Sequence, residues 1–352
     1  MHKKLLLFYL CLIGVGLIMV SCATLPPRPE PEPEPLPRPS PEPVPPLPPP
    51  KNVRTFPDFV ALIAQPGETL SSLALQYLND PSMDWFIAEF NGITSLTPGQ
   101  EVIIPLLPYG KGGLFLKGYQ TVPIISYHKF SKDKADVMTV TESAFAEQMK
   151  FLKENGYRVI TLDDFFDFLD FKRPLPKKSV VITIDDNWYS AYEIAFPILK
   201  QYGYPATLFV YTDFILPGRK TLSWDFLIQM SKNGMDIQCH TKSHRNLNKR
   251  EGQESFRDYF EAVKKELTES AEIIRRRLKK DVKYLAYPYG ETNPLIIALL
   301  MKLGYRGALT VDRDSNPFFI HPYRINRSMI YGTFNLREFE SNLNYFNDRM
   351  IR

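Results

Sequence analysis

Val180-Val181-Ile182-Thr183-Ile184 is an apolar, largely β-branched run that ends in two carboxylates, Asp185 and Asp186. It lacks polar alternation, so it predicts a strand buried on both faces. Such a strand needs a layer on each side of its sheet, which restricts the chain to α/β architectures. Two adjacent charges at its mouth are costly unless they are paired or bound to a cation. Further along, His240-Thr241-Lys242-Ser243-His244 places two imidazoles four positions apart, just after the apolar stretch Met235 to Cys239. One Asp and two His leave open positions on a divalent ion, as metal-assisted hydrolysis needs. An N-cap Asp, a salt-bridged Asp or two surface histidines would each be ordinary alone. Their co-occurrence points to a site.

From Thr121 onwards strand and helix patterns alternate. Strands are predicted at 122–126, 157–161, 180–184, 206–211, 237–239, 284–287, 307–311 and 323–325. Helices are predicted over 142–155, 188–202 and 224–233, each followed by a glycine stop. In a long charged helix, Phe256, Phe260, Val263, Leu267, Ile274 and Leu278 step along a core-facing stripe. This alternation predicts a parallel sheet or a closed β/α barrel. Both put chemistry at the C-terminal ends of strands, where the Asp pair and the His pair fall.

The chain of 352 residues has room for one sizeable domain and one small one. Its net charge of +4 is mild and no basic block interleaves with aromatics, which argues against nucleic acid as a partner. Three cysteines are too few for a disulfide framework. Lys3 and Lys4 followed by the apolar stretch Leu5 to Val20 predict an export signal over residues 1–21. Ser21-Cys22-Ala23 resembles a bacterial lipobox, although Met19 stands where Leu is usual. That resemblance implies a lipidated Cys22 as the membrane anchor of the mature protein. Ala23 then implies the periplasmic face of the outer membrane in a Gram-negative cell. A soluble periplasmic protein with an incidental Cys is the alternative. Residues 22–57 form a linker whose stretch 26–50 holds about half of the 31 prolines. At roughly 3.1 Å per residue in polyproline II, that stretch reaches about 80 Å.

Residues 58–107 read as a small strand–helix–helix–strand unit, followed by a connector over 108–120. Phe59 to Ala64 is a strand, Thr69 an N-cap, and Met83 to Phe90 a second helix stopped by Asn91-Gly92. A final strand, Val102 to Ile104, follows the Pro98-Gly99 turn. The order, with Gly67-Glu68-Thr69-Leu70, Ala74 to Tyr77, Trp85 to Asn91 and Leu96 to Pro105, resembles the LysM module. The resemblance implies binding of N-acetylglucosamine-containing glycans along Gly67-Glu68-Thr69 and Asn91-Gly92-Ile93. The same residues are also the ones the turns need.

For the larger domain, the residues compose a hydrolytic site. Asp186, His240 and His244 would hold a metal, and the adjacent Asp185 would take a proton from water. The turn Tyr287-Pro288-Tyr289-Gly290 can present a backbone N–H to a developing oxyanion. Residues 121–352 resemble a NodB-homology polysaccharide deacetylase. Thr183 to Asp186, His240 to His244 and Tyr287 to Gly290 match its motifs. The resemblance implies a distorted (β/α)7 barrel that removes acetyl groups from N-acetylated sugars with a divalent metal. It implies Asp185 as base, Asp186, His240 and His244 as metal ligands, and the Tyr289 amide as oxyanion donor.

This chain departs from the family pattern at three places. Asn187 replaces the usual Gly, and Asn tolerates a left-handed turn. Ala286 stands where many members carry an Arg that orients the base, a role open to Arg324 or Arg327 from a neighbouring strand. The late Leu-x-His motif is missing. Instead Pro123 to His128 resembles the start of the circularly permuted poly-N-acetylglucosamine deacetylases, which implies His128 as general acid and leaves His321 as a surface or supporting residue. Trp188 and Tyr189, expected at a helix start, suit sugar stacking or helix packing equally.

The expected function is an N-deacetylase acting on peptidoglycan or a secreted poly-N-acetylglucosamine. The His/His/Asp donor set suits zinc, and cobalt or nickel fit as well. A catalytically inactive glycan-binding scaffold and an O-acetyl carbohydrate esterase are the competing readings. Nothing in the sequence sets an oligomeric state.

Overall fold

The computed structural model describes residues 53–107, 111–115, 117–216 and 220–349. The export segment, Cys22 and the Pro-rich stretch lie outside the described residues. No helix among the described residues is long and apolar enough to cross a membrane.

In the small unit, Thr69 accepts from the Ser72 amide and the Ser72 side chain returns to the Thr69 amide, which starts α1 (Leu70–Leu78). Gly92, at φ 66°, ends α2 (Asp84–Asn91). Both helices cover an antiparallel sheet of β1 (Val53–Thr55), β2 (Phe59–Ile63) and β3 (Glu101–Pro105), in that order. Strand β1 falls in the stretch read from sequence as linker; it covers the free edge of β2. Val60, Leu62, Leu73, Ala74, Ile87, Val102 and Ile104 form the core of the unit.

Seven parallel strands run along the main sheet of the larger domain, and an eighth pairs beside them. The seven are β4 (Ile124–Tyr127), β5 (Ser179–Asp185), β6 (Ala206–Val210), β7 (Met235–Cys239), β8 (Tyr284–Ala286), β9 (Gly307–Leu309) and β10 (Ser328–Met329). Their order in the sheet is β9-β8-β7-β6-β5-β4-β10, with Arg158–Ile160 alongside the start of β5. The first strand thus sits beside the last. A parallel bridge from Leu309 to Ile325 draws the two edges of the sheet together. The result is a curled parallel sheet of the distorted (β/α) barrel type, as expected from the sequence.

Intervening helices start on side-chain caps. Thr141 caps α3 (Glu142–Glu154), Thr161 caps α4 (Leu162–Leu169) and Ser223 caps α6 (Trp224–Lys232). Ser255 caps α7 (Phe256–Leu278), and Asn293 with Pro294 starts α8 (Pro294–Lys302). Helices α4 and α8 were not expected. The helix expected from Trp188 becomes regular only at α5 (Phe196–Tyr202), because Trp188 bridges to Thr221 and Ala191–Ala195 forms a wide π turn. The strand expected at 323–325 is reduced to the single Ile325 bridge. Phe256, expected on the core stripe of α7, is 58% exposed at the first turn.

Strand period two decides what faces the barrel interior. Val180, Ile182 and Ile184 pack against the helices, while Val181 belongs to an inner cluster with Ile124, Phe209, Ala286 and Leu309. Asp185 shares the face of Val181 and Thr183 and so points inward. Phe165, Phe166 and Phe168 of α4 join the inner cluster. A Cβ at Gly307 would lie 2.1 Å from the Phe166 ring, so only glycine fits there. Helix α4 closes the end where the strands begin, and the site lies at the end where they finish.

Candidate active site

Asp185 ends β5 pointing inward, 2% exposed, and Arg327 is fully buried against it. The guanidinium donates Nη1 to Oδ1 at 2.6 Å and Nη2 to Oδ2 at 2.8 Å. Its Nε donates to the Thr310 carbonyl at 2.8 Å, which fixes the fork. Of the two arginines the sequence offered, Arg327 meets the carboxylate and Arg324 is exposed. Burial alone would raise the Asp185 pKa. The charges of Arg327 and His240 and the Arg327 hydrogen bonds, with a smaller part from His128, outweigh it and hold it down to about 2.

The chain then turns sharply. Asp186 sits at φ 68°, in the left-handed region that Asp tolerates. The sequence placed this strain at Asn187 instead. Asn187 is buried and acts as a clip, donating Nδ2 to the Tyr211 carbonyl at 2.7 Å and accepting from the Tyr211 amide at 3.2 Å. It ties the end of β5 to the end of β6. The turn brings Asp186 Oδ1 to 3.8 Å from His240 Nε2 and 3.7 Å from His244 Nε2. Trp188 donates its indole N–H to Asp186 Oδ2 at 3.1 Å, leaving Oδ1 toward the imidazoles. This tryptophan, read as a sugar platform or packing residue, orients the carboxylate.

His240 Nδ1 lies 2.8 Å from the Ala286 carbonyl. That contact places the proton on Nδ1 and leaves the Nε2 lone pair toward Asp186. Burial pushes the His240 imidazole down to about 4, against the pull of the Asp185 and Asp186 carboxylates, so it is neutral at neutral pH. His244 sits at φ 64° and donates its amide to Thr241 Oγ1 at 3.1 Å. Glu266 of α7 anchors this loop from below. It accepts from the Lys242 and Ser243 amides at 2.9 and 2.8 Å and from Ser243 Oγ at 2.8 Å. One ligand atom each from Asp186, His240 and His244 fall within 4.8 Å of one another. Bonds of about 2.1 Å in a tetrahedral zinc site put ligand atoms roughly 3.4 Å apart, so the three side chains fit a divalent ion.

Tyr289 completes the rim. It adopts φ 62°, is 62% exposed, and its ring centroid lies 5.0 Å from that of His244. Among the described residues no turn or loop carbonyl accepts from its amide. Asp186, Thr241, His244 and Tyr289 are four of the seven non-glycine residues with positive φ among the described residues. Backbone strain of this kind gathers at functional sites. An open cleft of about 500 Å³ continues past His244 and Tyr289 toward Asn246, Lys249 and Glu291.

His128 follows β4. The register pairs Tyr127 with Ile184, so His128 lies level with Asp185. His321 is exposed and accepts from the Tyr323 amide at 3.2 Å, away from this cluster.

Residues 172–308 match the family model described as polysaccharide deacetylase. Asp185, Asp186, His240, His244 and Tyr289 lie within that stretch; His128 and Arg327 lie outside it. A Bacillus subtilis protein, YxkH, whose name assigns it to polysaccharide deacetylases, is 28% identical over 214 residues, 59% of this chain and 72% of that protein. Poly-β-1,6-N-acetyl-D-glucosamine N-deacetylase of Staphylococcus aureus is 30% identical over 192 residues, 52% of this chain and 66% of that protein. The Streptococcus pyogenes deacetylase PplD shares the fold at a TM-score of 0.57 and 23% identity, covering 64% of this chain and 99% of that one. IcaB from Ammonifex degensii does so at 0.54 and 22%, covering 60% and 93%. The chain is thus similar to polysaccharide deacetylases over residues 172–308, and the two solved structures share its fold.

Proposed function

We propose that the protein is a metal-dependent N-deacetylase acting on a polymer of N-acetylglucosamine. The observation that carries this reading is the convergence of Asp186, His240 and His244 beside an ionised, Arg327-held Asp185. Asp186, His240 and His244 would hold the ion, which zinc suits and cobalt or nickel also fit. When bound, a divalent ion supplies Lewis-acid polarisation of the substrate carbonyl and a lower pKa for the attacking water.

The chain's own groups do the rest. Asp185 stays ionised because Arg327 outweighs its burial, so it is free to take a proton from the attacking water. The Tyr289 amide donates to the carbonyl oxygen as it gains charge. His128, level with Asp185, gives a proton to the leaving nitrogen. The S. aureus relative's name favours a β-1,6-linked chain as substrate. On this proposal the small unit is a LysM module that holds the enzyme on its polymer and raises the local substrate concentration. Cys22 is the lipidated anchor of an envelope lipoprotein on the periplasmic face of the outer membrane. Asn91 does not serve the glycan directly, since its side chain is spent on the backbone of Ile87 and Ile103.

Acetate release from defined β-1,4 and β-1,6 N-acetylglucosamine oligosaccharides tests the reading. Release is expected with added zinc and is lost on chelation. Asp185→Asn should abolish turnover and keep the metal. Full glycan binding by metal-loaded native protein without any acetate release would overturn the reading in favour of a binding scaffold. Faster release from O-acetylated sugars would make it an esterase.

A further inference from the structure

Trp85 and Phe86 are only 7% and 4% exposed, yet neither belongs to the core of the small unit. They are buried from the other side. Together with Phe115, Gln120, Phe168 and Leu175 they line a residual cleft of about 20 Å³. Two polar contacts flank this seam. Arg158 Nη2 meets Asp84 Oδ1 at 3.0 Å, and the Lys177 amide donates to Glu89 Oε1 at 2.9 Å.

All the barrel partners sit at one end. Arg158 pairs with Ser179, the first residue of β5, and Lys177 precedes that strand. Phe168 belongs to α4, which closes the same end. Asp185 is the last residue of β5. Seven strand residues at roughly 3.3 Å each place the seam about 20 Å from the catalytic carboxylates. The cleft past His244 and Tyr289 opens at the far end of the strands. On the small unit, Gly67, Thr69 and Gly92 are exposed, and a Cβ at either glycine would meet nothing within 4 Å.

We infer that the small unit is fixed to the strand N-terminal rim of the barrel through Trp85 and Phe86, so that the protein grips one glycan strand while its cleft acts on another. The inference rests on the reading of the small unit as a glycan-binding module and of the barrel as a deacetylase. Its partner is a neighbouring N-acetylglucosamine strand in a network. A short, stiff segment cannot lie on the small unit and turn through the barrel's length into the cleft. A docked module of this kind selects packed polymer over dissolved chains.

Two measurements test it. The full chain in detergent is spin-labelled at Ser95→Cys and Lys302→Cys, both exposed, with Cys239 buried and unlabelled. A single narrow distance distribution is expected by pulsed electron paramagnetic resonance; a broad distribution overturns the docking. This readout does not depend on activity, so it stands or falls apart from the deacetylase reading. Acetate release is then compared on a soluble tetrasaccharide, a soluble decasaccharide and an insoluble N-acetylglucosamine polymer. The two soluble rates per acetyl group should agree within about twofold, and the insoluble polymer should exceed both by about tenfold or more. A rise of that size from the tetrasaccharide to the decasaccharide would show one strand reaching both places. No gain on the insoluble polymer would remove the second strand. Absence of acetate from all three would instead tell against the deacetylase itself.

Discussion

Arg327 and Asp185 meet inside the barrel through two hydrogen bonds of 2.6 and 2.8 Å, and both side chains are cut off from solvent. Arg327 reaches this carboxylate from just before a two-residue strand, past Ser126 and Thr183. A buried pair of this kind is costly to break from one side, because the partner is left charged and unpaired. Arg327→Met should cost about 3–5 kcal/mol of stability, read by urea unfolding. Adding Asp185→Asn to that variant should recover part of the loss, since the stranded charge is gone. Arg327→Lys should fold but lose the bidentate hold, with kcat falling and metal content unchanged.

The same pair sets a pH dependence. The Asp185 pKa drops from 3.8 to about 2 on folding, so the folded chain binds fewer protons than the unfolded one as pH falls. The stabilisation, about 2 kcal/mol, is complete above roughly pH 4 and is lost as pH falls through about 2. Native protein should therefore lose its stability advantage over Asp185→Asn across that window. An advantage that stayed constant from about pH 5 to pH 2 would show that the carboxylate keeps an ordinary pKa.

Trp188 makes a separable prediction, because its indole N–H touches Asp186 Oδ2 while its ring packs on Phe214 at 5.7 Å between centroids. Trp188→Phe keeps the ring and removes the donor. Metal affinity should fall by about 10- to 100-fold, measured by chelator competition, with little change in melting temperature. A variant with native metal affinity would leave Trp188 only a packing role.

Glu266 supports the His loop from α7, where three donors converge on its carboxylate. Glu266→Ala leaves the Lys242 and Ser243 amides without their acceptor, at about 1 kcal/mol per lost hydrogen bond. It should also loosen His244 and lower metal affinity. Glu266→Gln keeps one oxygen acceptor and should fall between the two in both unfolding and metal titration.

Much of this arrangement was legible because strand geometry is simple. A β-branched run with period two sends Asp185 inward with Val181 and Thr183 once Val180 and Ile182 face the helices. The His pair after β7 was likewise visible. The choice between Arg324 and Arg327 was not, since residues three apart in a strand face opposite ways and the register of so short a strand is set by its neighbours. Asn187 misled for a related reason: Asp and Asn both tolerate positive φ, so residue type could not say which of two adjacent positions bends. Helix α8 was hidden by its composition, since Leu295, Ile296, Ile297, Leu299 and Leu300 leave no polar face to reveal a helical period. Glu266 did carry a signal. It lies three residues after Val263 and one before Leu267, on the buried stripe of α7, where an acid needs a partner.

His128 and His321 offer the sharpest contrast among the histidines. His128 lies level with Asp185, just after β4, which sits between β5 and the edge strand β10. His321 is on the surface, 6.1 Å from the Tyr323 ring between centroids. If His128 protonates the leaving nitrogen, His128→Ala should lower kcat by about 10²- to 10⁴-fold while metal content and KM stay near native. His321→Ala should leave turnover unchanged. The pH profile separates catalysis from packing. Loss of a general acid removes the alkaline limb of the kcat profile, whereas a purely structural histidine would scale the whole curve down without changing its shape. A His128→Ala profile of native shape would therefore take the acid role away from this residue, whatever the size of the rate loss.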